Sequence, residues 1–376
     1  MKRANPKNLP AVQSKLPSVV LPDQLLGDIR SLIESARGHV AQAVNAGLVL
    51  LHWKIGERIQ KDILRDGRAE YGKQIVATVS QQLTLEYGRG FTKDALSRMI
   101  QFAEEFPDPK IVAGLSRQLG WSHFVELIAI EDSLKREFYA EMCRLERWSV
   151  RTLRTKIQGM LYERTGISRK PAELAKQELK LLREEDRLTP DLVFRDPYLL
   201  DFLGLKDTYS ERDPEAAILH ELENFLVELG SDFAFLARQK RITVDQEDYY
   251  LDLLFYHRRL HCLVAIELKL ERFQPADKGQ MELYLRWLEK YEKQMGENPP
   301  IGLILCADKS AEHVELLQLE KSGIRVAQYL TELPPRKVLE HKLHEAIRIA
   351  REQLATRQLP PAGGGSDSAQ NEPKTS

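Results

Sequence analysis

Up to about residue 190 the chain carries no run with convincing two-residue alternation, and beyond it three such runs follow in quick succession. That switch of period fixes a two-part fold. From Asp23 to about Gly166 apolar residues recur at helical spacing. Leu25, Ile29, Leu32 and Ile33 do so first, then Leu96, Met99, Ile100 and Ala103 after the break at Gly88-Arg89-Gly90, with Pro107 and Pro109 closing that segment. The spacing predicts an all-helical N-terminal domain of six or seven helices over 23–166, preceded by an irregular arm over 1–22. Pro171–Asp186 is a charged helix, read as a connector within 167–190 that Leu188-Thr189-Pro190 ends.

The second part begins at about 191. A helix over Pro214–Leu229, with Ile218, Leu219, Leu222, Phe225, Leu226 and Leu229 on one face, stops at Gly230. Strands are expected at Phe233–Val244, Asp248–His257 and Cys262–Leu270, joined by turns short enough for an antiparallel meander. A helix at Asp277–Lys293, a strand at Ile301–Cys306, a helix at Ala311–Lys321 and a strand at Ile324–Tyr329 complete the order α-β-β-β-α-β-α-β. That order makes a mixed sheet with helices on its faces over 191–335. An amphipathic helix at 336–358 and a polar, glycine-rich tail at 359–376, expected to be disordered, end the chain.

Composition narrows the function classes. The longest apolar runs, Ala46–Leu51 and Ile301–Ala307, are far short of the ~20 residues of a membrane span. Prolines 6, 10, 17 and 22 interrupt the basic start, and no signal-peptide core follows it. Cys143, Cys262 and Cys306 are too far apart for a disulfide scaffold or a Cys-x-x-Cys site, which suits a reducing cytoplasm. Residues 1–165 hold 25 Lys and Arg against 19 Asp and Glu, a basic surplus compatible with a polyanionic partner and also common without one.

The chemistry concentrates in Leu251–Tyr256 and Leu263–Lys269. The second of these is apolar enough to lie inside a sheet, yet Glu267 and Lys269 interrupt it, two residues apart and therefore on one face. Asp252 sits in an equally apolar run on the neighbouring strand. Two carboxylates buried together need a cation. Lys269 supplies one charge, and a hard divalent ion of the Mg²⁺ kind would supply the rest. An Asp, a Glu and a Lys so spaced suit phosphodiester cleavage.

At these residues the chain resembles the PD-(D/E)XK (restriction-endonuclease-like) nuclease superfamily: Asp252, then Glu267-Leu268-Lys269, with Leu251 where the superfamily name has proline. Gln280-Met281-Glu282-Leu283-Tyr284 resembles the Q-x-x-x-Y element of its RecB-like and lambda-exonuclease-like branches, and the i,i+4 spacing sets Gln280 and Tyr284 on one helix face. The wider text is similar to the bacterial YhcG-like family. It includes Phe225–Gly230, Asp252–His257 and Ile266–Lys269, and in the helical half Leu115–His123 and Met160–Arg164. The similarity covers about residues 25–350.

The resemblance implies a metal-dependent nuclease acting on DNA, in foreign-DNA handling or in recombination and repair, with Mg²⁺ or substituting Mn²⁺ and no organic cofactor. It implies Asp252, Glu267 and the Leu268 carbonyl as metal ligands, with Glu221 or Glu223 completing the set. Lys269 would assist the water, and Gln280 and Tyr284 would position the site or the DNA. Arg258 and Arg259 at the turn between the two strands, and Arg117 and His123 in the helical half, are candidate nucleic-acid contacts; a solvated turn and a packed helix are their plainer readings. Residues 111–130 are helix-turn-helix-like with Ser122 as N-cap, but the second helix is mostly apolar, which favours packing over base reading. The basic series Arg144, Arg147, Arg151, Arg154, Lys156 and Arg164 suits a phosphate backbone or an ordinary helix face. The helical half would bind DNA or join two copies as a homodimer. Rival readings are a non-catalytic binding or assembly module on a nuclease-like fold, and an RNA or nucleotide phosphohydrolase.

Overall fold

The computed structural model describes residues 23–66, 69–203, 218 and 221–358. The expected arm, the expected tail and most of the first part of the helix expected from Pro214 lie outside them.

The first half is helical: α1 (Asp23–Asp66), α2 (Ala69–Tyr87), α3 (Lys93–Glu105), α4 (Pro109–Leu115), α5 (Trp121–Leu127), α6 (Ser133–Glu146), α7 (Val150–Gln158) and α8 (Leu161–Arg164). Side chains cap the starts. Thr92 accepts from Ala95 N–H, Asp132 from Lys135 N–H and Ser149 from Thr152 N–H, while Asp108 with Pro109 opens α4. The described residues up to Arg164 thus hold eight helices, where six or seven were expected. The single turn α8 is entered through Met160 in the left-handed region at φ 51°, a break that a non-glycine residue does not announce. Phe102, Phe124, Phe138, Tyr139 and Leu153 centre the core. Helix α9 (Ala172–Glu185), read as a connector, is part of that core through Ala175, Leu179 and Leu182, and Arg183 pairs with Glu137 and Glu141 on α6. The one-turn α10 (Pro190–Val193) follows.

The second half is a six-stranded mixed sheet in the order β1-β6-β5-β4-β3-β2. Its strands are β1 (Tyr198–Leu199), β2 (Phe233–Val244), β3 (Glu247–His257), β4 (Cys262–Arg272), β5 (Ile301–Asp308) and β6 (Ile324–Leu330). β2, β3 and β4 form the antiparallel meander, and β5, β6 and the two-residue β1, which was not foreseen, extend it in parallel. The first hairpin loop is only Asp245-Gln246, since Glu247 already pairs with Val244. Both loop residues have positive φ, 47° and 68°, matching the mirror-image turns that follow strand twist. One sheet face packs on α11 (Leu222–Leu229), with Phe225 against Phe255. The other packs on α12 (Pro275–Tyr291) through Met281, Tyr284, Leu285 and Leu288. The helix expected over Ala311–Lys321 is α13 (Ala311–Leu316) and a separate 3-10 turn, divided by Gln318 in the left-handed region. The last helix, α14 (Arg336–Gln358), crosses back to the first half, where Leu339 and Leu343 cover Met160 and Arg351 donates to the Ser168 carbonyl.

Candidate active site

The β3–β4 ladder runs from His257↔Cys262 to Leu253↔Ile266 and ends there. The next residues on the two strands are Asp252 and Glu267, and their carboxylates replace the missing rungs. Asp252 N–H donates to Glu267 Oε1 at 3.3 Å, and Leu268 N–H donates to Asp252 Oδ2 at 2.9 Å. The N–H and C=O of one strand residue point towards the same neighbouring strand, so the Leu268 carbonyl is aimed at this gap as well. Gln239 on β2, itself at φ 46°, donates from Nε2 to Asp252 Oδ1 at 3.1 Å.

Lys269 closes the arrangement. Its Nζ lies 3.3 Å from Glu267 Oε2, 3.8 Å from Asp277 Oδ1, and donates to Gln280 Oε1 at 3.2 Å. Gln280 Nε2 donates to the Tyr284 hydroxyl at 2.7 Å, which donates to the Tyr250 carbonyl at 3.3 Å. The i,i+4 spacing on α12 therefore ties the lysine back to β3. Asp277 is fixed in turn by accepting from Gln274 N–H at 2.7 Å, at the helix start.

Glu267 is only 4% exposed. Burial first, and the neighbouring Asp252 carboxylate second, push its carboxyl up to about 7, with Lys269 pulling the other way. Two carboxyls buried beside a single ammonium leave room for a further positive charge, and the donors facing the gap are oxygens. That set fits a hard divalent cation. Among the described residues no group of three His, Cys, Asp or Glu is gathered, so the donors available are two carboxylates and a carbonyl.

The raised carboxyl has a measurable consequence. Folded Glu267 holds its proton more tightly than in the unfolded chain, so its contribution to stability is complete below pH about 4.5 and is lost as pH rises through about 7. With chelator present, urea unfolding is expected to show a loss of about 3 kcal/mol across that window. Glu267→Gln should flatten the difference, and an equal slope in wild type and variant would contradict it.

Two family models divide the sequence between them. The one described as the YhcG PDDEXK nuclease domain matches residues 191–344, and the one described as the DUF1016 N-terminal domain matches 28–164. The Escherichia coli (strain K12) protein named "Putative nuclease YhcG" is 35% identical over 352 residues, spanning 85% of this chain and 93% of that protein. The chain belongs to the YhcG family. Its second half is accordingly a PDDEXK nuclease domain, and the helical domain followed by a mixed-sheet nuclease domain is the fold class the sequence implied. Among solved structures, a repair endonuclease from Pyrococcus abyssi matches with 21% identity and TM-score 0.24 over 35% of this chain and 51% of that one. An EndoMS–dsDNA complex matches with 19% identity and TM-score 0.25 over 34% of this chain and 49% of that one. The chain thus spans about half the length of each. No described helix is long and apolar enough to cross a membrane.

Within this YhcG-family chain, Asp252, Glu267, Leu268, Lys269, Gln280 and Tyr284 come together. The other candidates do not join them. Glu221, at the start of α11, accepts from Asn224 Nδ2, and Glu223 is exposed. Arg258 and Arg259 lie in the turn six and seven residues beyond Asp252, roughly 20 Å along the strands. Arg259 faces the helical half, bonded to Asp232 and the Leu145 carbonyl. His123 uses both ring nitrogens inside the fold, accepting from Gly120 N–H and meeting the Trp148 carbonyl, so Gly120 and not Ser122 opens α5. Arg117 is exposed, its carbonyl accepting from Gln42. Four of the basic series are engaged within the fold: Arg144 pairs with Glu141 and Asp186, Arg154 with Glu126 and Arg164 with Glu228, while Lys156 donates to the Val227 carbonyl. Sequence reading missed Gln239 and Asp277. Asp277 was findable, three residues before Gln280 on the same helix; Gln239 carried no signal.

Proposed function

We propose that the protein hydrolyses phosphodiester bonds in DNA with the aid of Mg²⁺, for which Mn²⁺ substitutes. The observation that carries this reading is the convergence of Asp252, Glu267 and Lys269 where the β3–β4 ladder stops. Asp252, Glu267 and the Leu268 carbonyl would hold the cation. A divalent ion bound there supplies Lewis acidity and makes water a nucleophile at neutral pH. Lys269 sets its ammonium beside the carboxylates, where it orients the attacking water and offsets negative charge growing on the phosphate. Gln280 and Tyr284 hold Lys269 to that position. The helical half, with its basic surplus, serves to bring the chain to DNA. A duplex presents two strands, so two copies acting together would cut both. Three buried, widely separated cysteines agree with work in a reducing cytoplasm.

The test is incubation with plasmid, linear and single-stranded DNA and with RNA, in Mg²⁺, Mn²⁺ or EDTA. DNA cleavage that requires either metal is expected. Tight DNA binding with no cleavage under any condition, or cleavage confined to RNA, overturns the reading.

A further inference from the structure

Helix α1 has two apolar faces, and the described chain covers one. At about 100° per residue, Val49, Trp53 and Gly56 share one side, packed towards α3. There Trp53 Nε1 donates to the Phe106 carbonyl at 2.8 Å, and a Cβ on Gly56 would fall 1.8 Å from the Met99 carbonyl oxygen. Ile29, Ile33, Val40, Val44, Leu48 and Leu51 lie on the other side, with Leu32 at its edge. All are exposed, Leu32 by 70% and Val40 by 64%, and every residue from Gly27 to Asn45 is exposed. The two faces point roughly 150° apart, so the domain packed on one side cannot reach the other.

A bare helix of this kind is only marginally stable in water. Its apolar stripe is roughly 33 Å long. The exposed apolar area comes to roughly 600 Å² per copy, approaching the ~800 Å² per partner of a standard interface and at the upper end of ordinary surface patches. Gly47 sits on the stripe near its C-terminal end, where a Cβ would meet nothing within 4 Å. Gly56 is explained by the approach of α3; Gly47 finds no such neighbour among the described residues, and a second helix lying close against it would be one.

We propose that this stripe pairs with the same stripe of a second copy, the two α1 helices side by side. Two such stripes together would bury roughly 1,200 Å², the lower end of what a specific stable interface covers. This pairing does not depend on the nuclease chemistry of β3 and β4, and its readout is mass rather than cleavage.

Light scattering on the full chain is expected to give a dimer. Ile33→Glu with Val40→Glu should raise the dissociation constant by more than about a hundredfold while leaving the circular dichroism unchanged. Ser31→Glu, exposed on the side of α1 opposite the stripe, should leave the dimer intact. Val40→Cys should form an intermolecular disulfide on mild oxidation, the native cysteines being buried. A monomeric wild type, a dimer that survives the double substitution, or a monomeric Val40→Cys variant whose introduced thiol is shielded from maleimide by its own chain overturns the pairing.

Discussion

Lys269→Ala is expected to slow DNA cleavage by on the order of a thousandfold or more with the fold retained. The Nζ is the only cation within 4 Å of Glu267 among the described residues, and its other contacts are Asp277 and Gln280. Removing it leaves Glu267 buried beside Asp252 with no neutralising partner. The carboxyl then rises further above the usual carboxylate range, and cation binding weakens at neutral pH. Asp252→Asn should be comparably damaging, because a neutral amide is a poor ligand for a hard ion. It keeps an oxygen to accept from Leu268 N–H, so the strand geometry should survive. Gln280→Ala should cost less, about tenfold, since it frees the lysine without removing it. Cleavage rates measured at saturating Mg²⁺, beside unfolding curves for each variant, decide the matter. Unchanged cleavage in both Lys269→Ala and Asp252→Asn would take these residues out of the chemistry.

Why this cluster could be read in advance is a matter of strand periodicity. A buried strand tolerates charge only with a partner, so Glu267 and Lys269 stood out within Leu263–Lys269, and their spacing alone put them on one face. Asp252 followed from the short turn, and Gln280 with Tyr284 from helical spacing. What periodicity does not contain is tertiary compensation. Gln239 reaches Asp252 only because β2 slips register between Phe235 and Ala237, an irregularity invisible in a string of residues. The charge of α9 suggested a solvated connector, yet three apolar residues on one side were enough to bury it and ion pairs took up the rest. His123 looked available for phosphate because ring nitrogens are ordinarily free; here the backbone at Gly120 and Trp148 takes both. The stripe on α1 was read as helix but not as surface, since amphipathic spacing does not say which of two apolar faces the rest of the chain covers.

Glu228→Ala is expected to lower unfolding free energy by about 3–5 kcal/mol. Glu228 lies near the end of α11, on the sheet side of the junction, and gathers three partners. Arg164 of α8 donates to its Oε1 at 2.5 Å, Leu199 N–H of β1 donates to the same oxygen at 3.0 Å, and Arg195 stands 3.2 Å from Oε2. The two guanidinium groups hold its carboxyl below the usual range despite burial. Arg164 and Arg195 are 3% and 5% exposed, so removing the acid strands two cations away from water. The sign with pH follows: the clamp contributes fully above the carboxylate's unfolded value and is lost as pH falls through its depressed folded one. Arg164→Met alone should destabilise, but combined with Glu228→Leu it should cost less than the two changes separately, because an apolar pair strands no charge. Urea unfolding of the single and double variants measures that coupling. Additive losses would mean that the helical and sheet halves are held by their apolar contacts, with this ion pair contributing nothing across the boundary.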